Sequence, residues 1–120
     1  MVIQMENINE LINAGDLGSV LEIAKEFHGH VCPYVALGIK ASAIAMKELG
    51  VNRLGFNGSI DEEILAVVET NNCFTDGVQV ATGCTLGNNS LVYLDLGKTA
   101  LTLVKRGEWE GVRIYIDAGA

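Results

Sequence analysis

A chain of 120 residues, 49% of them hydrophobic, is long enough for one core and too apolar for disorder. The formal net charge is −7 and the eight Lys and Arg are scattered, which argues against nucleic acid and anionic membrane surfaces as partners. The longest apolar segment, residues 35–46, is interrupted by Lys40 and is too short to cross a bilayer.

No repeat, linker or low-complexity tract divides the chain, so one domain over residues 1–120 is expected. The N-terminus shows no basic region ahead of an apolar one, so no secretory signal is expected. Three cysteines cannot all pair within the chain, and their spacing is not a disulfide framework; a reducing, cytoplasmic location follows as the expectation. Residues 8–14 read as a short helix ending at Gly15. Asp16 is placed to cap a second helix, in which Leu17, Val20, Leu21, Ala24 and Phe27 recur at helical spacing and deliver the chain to His28. Pro33 can open a third helix, because it lacks the N–H that would go unpaired in a first turn. Residues 33–49 are almost wholly small and apolar, with Lys40 and Lys47 on one stripe and Gly50 as the stop, which predicts the central helix of the core.

Residues 64–68 form a continuous apolar run that reads as a buried strand emerging into Glu69-Thr70-Asn71-Asn72. A short helix is predicted over residues 74–81, stopped by Gly83. The pattern then changes to period two: residues 91–95, 99–105 and 112–117 are strand-like, with turns at Gly97-Lys98 and Gly107-Glu108. The expected fold is α+β, with N-terminal helices packed on a mostly antiparallel sheet that ends in a meander.

The chemistry concentrates in Phe27-His28-Gly29-His30-Val31-Cys32-Pro33, which holds both histidines and one of the three cysteines. Imidazole and thiolate bind zinc, iron, nickel or copper tightly. If Pro33 opens a helix, Cys32 sits at its positive end, where the thiolate is favoured. Fully extended, His28 and Cys32 would lie about 13 Å apart, so the trio can share an ion only if Gly29 lets the loop curl. The competing reading is a capping or core-edge histidine pair beside an inert thiol.

A second constellation runs from Cys73 to Gly87. On a helix, Cys73, Asp76 and Val80 share one side, with Gln79 adjoining. One helix spanning Cys73 and Cys84 would hold them about 16 Å apart, too far to share an ion. Cys73 is preferred as the ligand because it follows a buried strand and begins a helix. Thr82-Gly83-Cys84-Thr85-Leu86-Gly87 is a small-residue loop of the kind that lets a ligand approach the backbone, and it is not a Walker loop.

Together these segments resemble the E-subunit family of formylmethanofuran dehydrogenase. The resemblance rests on His28-Gly29-His30-x-Cys32-Pro33 with Ala36-Leu37-Gly38, then Cys73-x-x-Asp76-x-x-Gln79-x-x-Thr82-Gly83-Cys84-Thr85-x-Gly87, then Asp95-x-Gly97-Lys98-x-Ala100. It implies an α+β core domain, and an association, in methanogens, with a tungsten or molybdenum enzyme that reduces carbon dioxide onto methanofuran. It further implies that the His/Cys loop and the segment from Cys73 to Thr85 line one metal-binding cleft. In that cleft His28, His30, Cys32 and Cys73 are the expected metal ligands, and Asp76 and Cys32 the expected catalytic residues. Gln79, Thr82, Cys84, Thr85 and Lys98 would contact a small-molecule ligand. Tyr34 departs from a Gly common in the family, which narrows the cleft's mouth. Asn88-Asn89 replaces a common Gly-Lys-Gly pattern. The small zinc-binding module of many relatives is not expected, since no cysteines remain to build it.

The expectation is therefore one transition-metal ion, zinc by preference, in a protein of one-carbon or formyl metabolism. Asp76 or Glu69 would transfer the proton if the protein is an enzyme. Two alternatives are a non-catalytic metal-carrying or assembly subunit of a molybdenum or tungsten oxidoreductase, and a thiol redox module using Cys32 and Cys73. A homodimer is expected to cover an apolar face or edge left open by the last strands, which include Leu101, Leu103, Ile114 and Ile116.

Overall fold

The computed structural model describes residues 7–30, 32–54 and 64–117. The N-terminal residues considered for a secretory signal lie outside them. Among the described residues four helices, α1 (Asn7–Asn13), α2 (Leu17–His28), α3 (Pro33–Leu49) and α4 (Cys73–Thr82), accompany four strands, β1 (Ile64–Val68), β2 (Leu91–Tyr93), β3 (Ala100–Lys105) and β4 (Glu110–Tyr115). The class is α+β, as the pattern predicts.

Local chemistry accounts for the helix ends. Asp16 caps α2 by accepting from the Ser19 N–H at 3.2 Å, and Asn72 caps α4 by accepting from the Phe74 N–H at 2.9 Å. Pro33 stands at the first position of α3, after Cys32 as the N-cap residue. The Lys40 and Lys47 stripe of α3 is exposed, and Ile44 between them is exposed too.

The elements stack in three layers. The sheet packs on one side of α3 and α4 through Ala41, Ala45, Met46, Phe74, Val78, Leu101 and Leu103. The helices α1 and α2 pack on the other side through Ile8, Val20, Ala24, Val35, Ile39 and Val80. Between α3 and α4 the backbones nearly touch. A Cβ added to Gly38 would lie 2.1 Å from the Phe74 carbonyl oxygen, and one added to Gly77 would lie 2.3 Å from that of Val35. Only glycine fits at either position, and this contact sets the N-terminal ends of the two helices near each other.

The sheet order is β2-β1-β3-β4. β1 pairs antiparallel with β3, and β3 with β4, but β2 pairs parallel with β1. This corrects the expected three-strand meander. β1–α4–β2 is a parallel crossover, so β1 takes the place next to β3 and pushes β2 to the edge. Gly97-Lys98 consequently carries the chain across the end of β1, where the Lys98 N–H donates to the Glu69 carbonyl at 3.0 Å. Gly107-Glu108 does close a hairpin, joining β3 and β4.

The apolar face invoked for a dimer is also corrected. Leu101 and Leu103 are fully buried, and Ile114 and Ile116 pack against the same core beneath the helices. Period two turns these residues inward and leaves Thr102, Arg113 and Tyr115 on the outer side.

Candidate metal centre

Three chain segments end at one spot. α2 ends at His28, and Gly29, with φ of 102°, turns the chain by donating its N–H to the Lys25 carbonyl at 2.7 Å. That left-handed turn, which glycine adopts at little cost, is the curl the motif needed. It brings the His28 and His30 rings to 4.5 Å between centroids. Cys32 then caps α3, and Cys73 opens α4. One donor atom from each of His28, His30, Cys32 and Cys73 lies within 4.8 Å of all the others. In a tetrahedral site with bonds of about 2.0–2.3 Å, donors stand roughly 3.3–3.8 Å apart. The four groups therefore need only a small contraction to close around one ion, and the cluster is compatible with metal binding.

The donors differ in surroundings. His28 Nε2 faces Cys73 Sγ at 3.1 Å. Its other nitrogen, Nδ1, contacts Asp76 Oδ2 at 2.5 Å, and Gln79 Nε2 donates to Asp76 Oδ1 at 3.1 Å. If Nδ1 carries the proton, it donates to the carboxylate and the Nε2 lone pair is left facing the cluster, the arrangement seen for metal-ligating histidines. His30 is exposed, whereas His28, Cys32 and Cys73 are half-buried.

The two thiols are also unlike. Sγ of Cys32 makes no capping hydrogen bond of ordinary length, yet the first-turn N–H of Val35 holds its pKa below the usual thiol value, helped by Cys73. The Cys73 thiol is pushed up, chiefly by its hydrogen bond with Cys32 and then by burial.

The remaining predicted site residues fall in three places. Asp76 and Gln79 stand behind His28. Thr82 and Cys84 are fully buried, so a ligand cannot reach them. Thr82 donates to the Val78 carbonyl at 2.7 Å and accepts from the Cys84 N–H at 3.1 Å. Burial pushes the Cys84 thiol up to about 11. Thr85 is engaged with Asn88 in a loop, its N–H donating to Asn88 Oδ1 at 3.0 Å. Lys98 is exposed on the crossing between β2 and β3.

Glu69, the other proton-transfer candidate, is buried and paired two-fold with Arg113, with Nε–Oε2 at 2.8 Å and Nη2–Oε1 at 3.0 Å. That pairing lowers its pKa. Arg113 escaped the sequence reading. Its one signal is its position in the alternation Val112-Arg113-Ile114-Tyr115-Ile116, which turns it to the outer face beside the end of β1.

Residues 27–120 match the family described as "FmdE, Molybdenum formylmethanofuran dehydrogenase operon". A protein from Archaeoglobus fulgidus, named "Probable S-adenosyl-L-methionine-binding protein", is 67% identical over 95 residues. That match takes in 79% of this chain but 26% of the relative, so the chain spans about a quarter of that protein's length. Among solved structures, an FmdE-like protein of the tungsten formylmethanofuran dehydrogenase type, from Syntrophus aciditrophicus, superposes with a TM-score of 0.62 at 22% identity. The superposition covers 86% of this chain and 74% of that one and shows a shared fold.

Proposed function

This chain belongs to the FmdE family, and from that premise we propose that it binds one transition-metal ion through His28, His30, Cys32 and Cys73 and serves one-carbon, formyl-group metabolism. The observation that carries the metal reading is the convergence of two imidazoles and two thiols from α2, its following loop, α3 and α4. Two thiolates and two imidazoles are a zinc donor set.

A bound ion would supply Lewis acidity toward a carbonyl or formyl oxygen. Asp76 orients His28, and Gln79 in turn holds Asp76. The N-terminal ends of α3 and α4 favour the charged thiolates. Four protein donors would complete a tetrahedral shell, so access of a small molecule to a bound ion would require one of them to give way. His30, exposed and on the loop, is the donor most easily displaced. The same feature suits a subunit that hands its metal to a molybdenum or tungsten oxidoreductase partner, and turnover of formyl compounds decides between the two. The reading includes a cytoplasmic location, in keeping with three free thiols, and a homodimer. Among the described residues no helix is long and apolar enough to cross a membrane. S-adenosylmethionine binding stays with the longer Archaeoglobus relative, whose name attaches to a chain mostly outside the match.

A second reading has one observation behind it. Cys73, His28 and Asp76 have the nucleophile–base–orienter order of thiol acyl transfer. His30 and Cys32 have no part in that scheme, whereas metal binding uses both. Elemental analysis tests the choice. The wild-type protein should carry one transition-metal ion per chain, and Cys32→Ser should lose most of it with its circular dichroism unchanged. Metal-free wild type whose Cys73 is selectively alkylated would favour the acyl-transfer reading.

A further inference from the structure

A cavity of about 600 Å³ lies between the first turn of α3 and the end of the sheet, lined in part by Tyr34, Leu37, Lys98, Arg113, Tyr115 and Ile116. Its size is that of a small-molecule pocket. Its charge opposes that of the protein: the chain carries −7 overall, yet among the described residues the cavity's lining holds two cations and no carboxylate. Glu69 stands behind Arg113 and compensates only part of that charge.

The two cations are held differently. Arg113 is fixed by its two bonds to the buried Glu69 and lies over the Tyr115 ring at 5.4 Å. Those bonds use Nε and Nη2, which leaves the Nη1 edge of a rigid, planar donor. Lys98 is exposed, and its backbone is anchored to the Glu69 carbonyl. Around them, Tyr34, Leu37, Tyr115 and Ile116 offer ring faces and aliphatic walls, and Thr99 adds a hydroxyl. Pro33 and Tyr34 also line the cavity and directly follow Cys32, so it shares the first turn of α3 with the metal centre.

We propose that this cavity binds the anionic end of a small molecule, a carboxylate or phosphate carried on a flat or apolar body, with Lys98 and Arg113 pairing the anion and Tyr34 and Tyr115 flanking the body. Identifying that molecule as the substrate of the metal centre rests on the proposed function; the anion site itself does not. The site also gives Tyr34 a part in binding, as one wall of the pocket.

The test is titration of the wild-type chain, metal-free and zinc-loaded, with benzoate, phenyl phosphate and neutral benzamide, followed by amide chemical shifts. Shifts should centre on Gly97, Lys98, Thr99 and Tyr115, and benzamide should bind roughly tenfold or more weakly than the better anion. The stronger of benzoate and phenyl phosphate identifies the anion as carboxylate or phosphate. Lys98→Gln should weaken anion binding by a similar factor while zinc content stays unchanged, and Tyr34→Ala should weaken both anions and benzamide together. Benzamide binding as tightly as the anions, affinity unchanged in Lys98→Gln, or shifts confined to another surface would each overturn the anion site and leave the metal reading standing. Lys98-dependent anion binding in a protein that takes up no metal would uphold the site and overturn the metal reading instead.

Discussion

Asp76 stands beside the cluster rather than in it: its carboxylate lies against His28 Nδ1, and it is not among the four convergent donors. Such a carboxylate sets the tautomer and the aim of a ligating imidazole, and its loss typically costs tenfold to a hundredfold in metal affinity. Asp76→Asn should therefore weaken zinc binding by about that factor, read by competition with a chelator, with the fold intact. Unchanged affinity with lost turnover would return Asp76 to the role of proton-transfer base. Glu69 allows a prediction on pH. Its pairing with Arg113 lowers its pKa below the ordinary 4.5, so the stabilisation is complete above that value and is lost as pH falls through the lower folded value. Thermal melts should show a decline below about pH 4.5 that is shallower in Glu69→Gln; identical acid limbs would contradict the pairing. The His/Cys donors were legible in the sequence because they are local to one loop and one helix start. The contacts of Asp76 with His28, and of Glu69 with Arg113, span 48 and 44 residues and exist only once helices and strands pack.

At the scale of elements, the cluster depends on how closely α3 and α4 approach. Gly38→Ala places a methyl 2.1 Å from a backbone oxygen, so the helices must separate. Overpacking of this kind costs about 1–3 kcal/mol or more, and the Cys32 and Cys73 ends should part with it. The expected result is a lower melting temperature together with weaker metal binding. Gly18→Ala in α2 is the control, since its nearest neighbour is 3.9 Å away; it should be neutral or stabilise by up to about 1 kcal/mol through helix propensity. If both variants melt alike, the glycine contact does not set the helix spacing. Helix limits were readable from Asp16, Pro33, Gly50 and Gly83 because caps and breakers are local signals. The place of β2 was not, because its partner is chosen by the α4 crossover. Three residues with one of them buried carry almost no pattern of their own.

For the whole molecule, the question of assembly shifts from the inward leucines and isoleucines to the sheet edge. β2 and the residues after it expose Val92, Tyr93, Leu94 and Leu96, the last 55% accessible. A short edge strand with apolar neighbours offers both backbone groups and side chains to a second copy. Sedimentation should show a homodimer, and Leu94→Lys with Leu96→Lys should shift it to monomer; a wild-type monomer at high micromolar concentration would count against the assembly. The central claim is the metal centre itself, and cobalt(II) titration of the metal-free, reduced protein tests it most directly. Thiolate-to-cobalt charge-transfer absorption should saturate at one ion per chain, with the intense visible bands of tetrahedral coordination, and should fall by more than half in Cys32→Ser, where one of two thiolates is removed and most of the metal is lost with it. Absence of charge-transfer absorption, or an end point unaffected by Cys32→Ser and Cys73→Ser alike, would contradict it.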